Sequence, residues 1–153
     1  MASVEAEVAE RCAALLWPQC GFERAIGLTL EGVGPGFSKM TIKVTPEGLN
    51  FYGGAHGGLL FAAADSAFAL ACNSFGYVTV ASGCSIEYLR PVTEGETLTV
   101  SCNLITKSGK SGLYSVDITN AKKEIVARFQ GRSHQTIKLI IPPSSEERGT
   151  IHG

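Results

Sequence analysis

Residues 50–73, Asn50-Phe-Tyr-Gly-Gly-Ala-His-Gly57-Gly-Leu-Leu-Phe-Ala-Ala-Ala-Asp65-Ser-Ala-Phe-Ala-Leu-Ala-Cys-Asn73, join a glycine-rich loop to an apolar run broken by one aspartate. From Gly57 to about residue 74 the run sets Leu59, Leu60, Phe61, Phe68 and Leu70 among alanines. It is apolar around its whole circumference, which predicts a helix buried on all sides. The chain has 153 residues, the size of one domain with a full core. An antiparallel sheet in such a domain buries a helix of this kind by curling around it.

The flanking sequence supplies that sheet. Upstream, Val4, Val8, Cys12 and Leu15 recur at helical spacing among Glu5, Glu7 and Glu10, and Trp17-Pro18 ends the pattern. This predicts a short N-terminal helix over about 3–16. Its acidic polar face suits packing on its own domain, because membrane-surface helices favour basic faces. From Ile26 the period changes to two: Met40, Ile42 and Val44 alternate with Lys39, Thr41 and Lys43 before Pro46-Glu-Gly48 turns the chain. Further strands are expected near 78–89, 96–106, 113–119 and 124–138, with Thr93-Glu-Gly95, residues 107–112 and residues 120–123 as turns. The fold class is α+β, with two strands, one long central helix at about 57–74, and a meander of four strands completing a six-stranded antiparallel sheet. A single domain over 1–141 and a flexible tail over 142–153 are expected.

Composition narrows the partners. Thirteen basic residues face 14 acidic ones without a block of like charge, so nucleic acid is not expected as a partner. Cys12, Cys20, Cys72, Cys84 and Cys102 are scattered and odd in number, which suits reduced thiols rather than a disulfide framework or zinc site. There is no 18-residue apolar run and no basic leader segment, so a cytoplasmic protein with no membrane partner is expected.

Two features of the opening stretch carry chemistry. The glycines before the helix leave backbone amides open, and Gly57 is the natural donor to an oxyanion, although glycines also serve tight loops. Asp65 is either a structural carboxylate satisfied by a neighbour such as Ser66 or a functional one, since an unpaired buried charge costs several kcal/mol. Eight helical residues span about 12 Å, so both groups of one chain cannot touch one reacting carbonyl. Either they serve different purposes, or a second subunit with an antiparallel helix completes the site, which requires a homodimer. His56 has no second ligand at metal spacing, so no metal is expected, and no Ser-His-Asp or Cys-His arrangement is readable.

Asn50-x5-His56-Gly57-Gly58-x6-Asp65, with residues 67–74 behind it, Ala81-Ser-Gly-Cys-Ser-Ile-Glu-Tyr-Leu-Arg-Pro91 on the next strand and Gly131-Arg-Ser-His134 on the last, resembles the hotdog-fold acyl-CoA thioesterases. Within them it is most similar to the phenylacetic acid degradation type, the hydroxyphenylacetyl-CoA thioesterases. The resemblance implies a hotdog fold, dimers with a continuous sheet, a homotetramer, and hydrolysis of an aryl-acetyl or other aromatic acyl-CoA. It implies no cofactor beyond the CoA of the substrate. It makes Asp65 the catalytic general base or nucleophile, Gly57 the oxyanion donor, Asn50 the group that orients thioester or water, and His56 a catalytic-site residue that shapes the loop or hydrogen-bonds near the carbonyl. Gly58, Ser82, Gly83 and Arg132 become substrate-binding candidates, and Ser82 or Ser85 would hold water beside the aspartate. A hotdog hydratase or dehydratase and a non-catalytic acyl-CoA binding protein are the competing readings.

Overall fold

The computed structural model describes residues 2–142, so all of the expected tail except Pro142 lies outside the described residues. Helix α1, Val4–Leu16, starts where the Ser3 hydroxyl accepts the Ala6 amide, and it buries Ala9, Cys12 and Ala13. A turn at Trp17–Gln19 leads into α2, Gly21–Ala25, which the sequence did not signal. The Arg24 guanidinium ties it back to the preceding turn, donating to the carbonyls of Trp17 at 2.7 Å and Pro18 at 2.9 Å. Then follow β1 (Leu28–Gly34), β2 (Phe37–Lys43), α3 (Gly57–Cys72), β3 (Tyr77–Tyr88), β4 (Thr97–Ser108), β5 (Ser111–Thr119) and β6 (Ile125–Leu139).

The six strands form one antiparallel sheet in the order β1-β2-β4-β5-β6-β3. The expected four-strand meander is therefore corrected to a three-strand one, β4-β5-β6, with β3 beyond it at the sheet edge. The helix is the reason: α3 crosses the concave face of the sheet and delivers the chain to the far edge. Residues 89–96 then return across three strand spacings, about 14 Å, well within the reach of eight extended residues. That return passes over the start of α3, where the Ala55 amide donates to the Val92 carbonyl at 2.8 Å and Gly54 bridges Thr93. Alternating hydrophobicity reports which face of a strand is buried, but not which strand lies next to it.

The core lies between α3 and the sheet. Phe68 packs against Tyr114 and Phe129, with ring centroids 5.4 and 5.8 Å apart. Gly131 lies beneath its ring, where an added Cβ would come within 2.8 Å of Phe68. At the helix end, Asn73 exchanges bonds with the Thr79 backbone at 2.9 and 2.8 Å, which fixes β3 against α3.

The expectation that α3 is buried on all sides is also corrected. Leu60, Ala63, Ala64, Ala67, Phe68, Leu70 and Ala71 are buried, whereas Gly58 and Ala69 are exposed and Ala62 and Asp65 are half-buried. These four positions form one stripe at helical spacing. The stripe stays open because β3 is the last strand of the sheet and, among the described residues, no seventh strand continues the wrap.

Candidate active site

The loop before α3 is built by Asn50. Its backbone amide donates to the Gly54 carbonyl at 2.7 Å, and its side-chain oxygen accepts the amides of Tyr52 at 2.9 Å and Gly54 at 3.1 Å. Gly53, at φ 82°, takes the left-handed conformation that closes this turn. At its tip Phe51 and Tyr52 are 91% and 86% exposed and pack on each other.

His56 caps α3. Its Nδ1 accepts the Gly58 amide at 2.8 Å, which assigns the proton of the neutral ring to Nε2, and its carbonyl accepts Leu59 and Leu60 at 3.0 and 3.3 Å. Of the first four helix amides, only that of Gly57 has no partner among the described residues. This donor sits at the positive end of the helix dipole. The Gly57 carbonyl meanwhile accepts the Tyr88 hydroxyl at 2.8 Å. Asn50, Ala55, Gly57, Leu60, Tyr88 and residues 89–92 line a cavity of about 460 Å³ there. The Gly58 amide is committed to His56, and an added Cβ at Gly58 would lie 2.9 Å from that ring.

Asp65 lies two turns further along, on the open stripe. Its carboxylate has no hydrogen-bond partner among the described residues, and Ser66, the neighbour that might have satisfied it, donates to the Ala62 carbonyl instead at 2.7 Å. Burial pushes the Asp65 carboxyl above the usual range, and the Glu23 carboxylate from α2 adds to the rise. A raised folded-state value makes a contribution to stability that is present below the ordinary carboxylate range and lost as pH climbs through the raised one. Asp65→Asn should therefore unfold at a higher temperature than the parent at pH 7. That advantage should shrink as pH is lowered below about 4, where the carboxyl is protonated in both states. Calorimetry at the two pH values checks this.

The strand beside Asp65 has a definite inner face. Gly131 lies under Phe68, so its cross-strand partner Cys84 shares the helix side, together with Ile86 and Tyr88. The Cys84 thiol is raised by burial and by the Asp65 carboxylate, and burial pushes Cys72 up to about 12, so both are protonated thiols at neutral pH. The hydroxyl expected beside Asp65 does not come from either serine of the same chain. Ser82 lies at a bulge in β3, donating to the Arg132 carbonyl at 3.1 Å and accepting from its Nε at 3.0 Å, and Ser85 pairs with Gln130 on the opposite face.

The structure thus gathers Asn50, His56, Gly57 and Gly58 at the helix start, with Asp65 about 12 Å along the same helix. Gly83 and Arg132 border a separate cavity of about 280 Å³ on the other face of the sheet. Among the described residues, no group of three His, Cys, Asp or Glu side chains could hold a metal. Sequence reasoning missed Tyr88 and Cys84. The alternation Cys84, Ile86, Tyr88 would have placed both on the helix side, but the bulge between Ala81 and Gly83 shifts its phase.

Residues 52–127 match the thioesterase superfamily. Over 112 residues the chain is 41% identical to the acyl-coenzyme A thioesterase PaaI of Escherichia coli K12, covering 73% of this chain and 80% of that protein. It is 32% identical over 117 residues to human acyl-coenzyme A thioesterase 13, covering 74% and 84%. Among solved structures, the E. coli PaaI protein from the phenylacetic acid degradation operon superimposes with a TM-score of 0.85 at 36% identity, covering 88% of this chain and 97% of that one. A Streptococcus mutans protein solved bound to acetyl CoA gives 0.71 at 28% identity, covering 74% and 91%.

Proposed function

Because the chain belongs to the thioesterase superfamily, we propose that the start of α3 is the carbonyl-binding half of a hydrolytic site whose carboxylate half, Asp65, comes from a second copy of the chain. The reaction is hydrolysis of an acyl-CoA thioester to the free acid and CoA. The observation that carries the site assignment is the unpartnered Gly57 amide at the mouth of the cavity that Asn50 and Tyr88 line.

In the general-base route, Asp65 takes a proton from water as the oxygen attacks the thioester carbonyl. The Gly57 amide holds the oxyanion, the C–S bond breaks, and the CoA thiolate leaves with the proton returned from Asp65. In the nucleophilic route, the carboxylate itself attacks the carbonyl and the C–S bond breaks to expel the CoA thiolate; water then opens the resulting anhydride, which releases the free acid, returns the Asp65 carboxylate and supplies the proton that the thiolate takes up. Neither route needs a metal or a cofactor beyond the CoA carried by the substrate. Asn50 and His56 shape the loop around the carbonyl, and Gly58 provides the close contact that lets His56 cap the helix. Ser82, Gly83 and Arg132, on the other sheet face, are candidates for the CoA moiety. The aromatic side chains of Phe51, Tyr52 and Tyr88 around the loop favour an aryl-acetyl or other aromatic acyl group.

The distance between Gly57 and Asp65 is what calls for a dimer. The open stripe of α3 and the unpaired edge of β3 lie side by side, and a two-fold partner would pair both at once in a continuous sheet. Two such dimers make the tetramer proposed here, and five unpaired cysteines suit a reducing cytoplasm.

Thiol release from aryl, short-chain and long-chain acyl-CoAs tests the chemistry: free CoA from an aromatic thioester supports it, and enoyl product without thiol overturns it. The shared site has its own experiment. Asp65→Asn and Gly57→Val subunits, each keeping about a hundredth of parental activity or less alone, should recover about a quarter of it when randomly mixed, because half the dimers are mixed and each holds one intact site. Mixed dimers that form but stay inactive overturn the shared arrangement.

A further inference from the structure

Tyr88 lies on the inner face of the edge strand, 52% exposed, and is a wall of the cavity that the Gly57 amide borders. Its hydroxyl donates to the Gly57 carbonyl at 2.8 Å across 31 residues of chain. Its ring also explains why residue 57 is glycine. A Cβ there would meet the Tyr88 Cζ and hydroxyl oxygen at 3.1 Å, while the backbone itself lies outside the left-handed region that demands glycine. A glycine in the first turn of a helix has no side chain to anchor it and is held only by its backbone bonds. Among the described residues, no partner holds the Gly57 amide. The Tyr88 hydroxyl is therefore the side-chain tie that fixes the Gly57–Gly58 peptide, joined through the Gly57 Cα to the one that carries the Gly57 amide, relative to β3.

We propose that Tyr88 is a positioning residue for thioester hydrolysis: by holding the Gly57 carbonyl, its hydroxyl keeps the neighbouring amide aimed at the place where the oxyanion forms. The inference rests on the hydrolytic reading above. An oxyanion donor displaced by a few tenths of an ångström loses strength toward the transition state and little toward the bound substrate. The loss of Tyr88's hydroxyl should therefore appear in kcat rather than in KM.

Tyr88→Phe keeps the ring and removes only the hydroxyl. With phenylacetyl-CoA its kcat should fall about tenfold, with KM and thermal midpoint unchanged. A kcat equal to the parent's, or a loss confined to KM, overturns the inference while leaving the hydrolytic reading intact; a parent that releases no thiol is the failure of that reading instead. The infrared carbonyl band of carbonyl-labelled phenylacetyl-CoA bound to Asp65→Asn reads the same tie without turnover. Adding Tyr88→Phe should move that band toward its position in free thioester, and an unmoved band overturns the inference. Should the phenylalanine variant fail to fold, a fluorinated tyrosine at position 88 serves, since its hydroxyl ionises at lower pH and a phenolate cannot donate to the Gly57 carbonyl. The expected result is a fall in kcat as pH rises through that ionisation, and a profile equal to the parent's overturns the inference.

Discussion

Asp65→Asn should lower kcat for thiol release by roughly 10³-fold, in the range found when a positioned general base is removed. Asparagine keeps the size of the side chain and its place on the open stripe, so the loss isolates proton abstraction or nucleophilic attack from packing. The substrate's contacts elsewhere remain, and KM should change little. The parent enzyme should also carry the signature of the raised Asp65 carboxyl. Activity needs the carboxylate, so the acid limb of kcat/KM should lie above the ordinary aspartate value of about 3.9, and Asp65→Asn should lack that limb. Steady-state kinetics of both proteins from pH 4 upward, with stability monitored in parallel, provide the check. A variant that retains the parent's rate would remove Asp65 from the chemistry. Because the same substitution is expected to stabilise the fold at pH 7, lost activity cannot be ascribed to lost structure.

The second large effect belongs to Gly57. Gly57→Val should reduce kcat/KM about 10²-fold, the scale on which a single oxyanion donor acts. The first carbon of any side chain already lies 3.1 Å from Tyr88, so the helix start or the tyrosine must shift, and the branches of valine crowd the space before the amide. Gly57→Ala should cost less, because only the small displacement of Tyr88 is required. The ordering glycine, alanine, valine distinguishes a crowded donor from a disrupted fold when the thermal midpoints of the three proteins are compared. A valine variant with a normal midpoint and a normal rate would mean that the amide of residue 57 does not bind the oxyanion.

Much of this protein was legible from residues alone. The apolar run after Gly57 identified the central helix because its composition leaves no polar face, and period-two alternation together with turn residues located five of the six strands to within a few residues, with no bounds for β1. The resemblance carried by Asn50, His56, Gly57 and Asp65 implied thioester hydrolysis. Helical rise alone set Gly57 and Asp65 about 12 Å apart. These are local properties, set by which side chains follow one another.

The tertiary structure decided what local patterns do not encode. Neighbour order in the sheet depends on where α3 delivers the chain, so β3 became an edge strand instead of the first strand of a meander. That edge leaves a stripe of α3 uncovered, which is why Asp65 is half-buried without a partner rather than sealed in the core. A bulge of one residue turned Cys84 and Tyr88 toward the helix and Ser82 toward Arg132, because a change in strand phase exchanges the two faces of a sheet. The bond from Tyr88 to Gly57 joins residues far apart in sequence, and it forms only because the sheet brings the end of β3 against the first turn of α3.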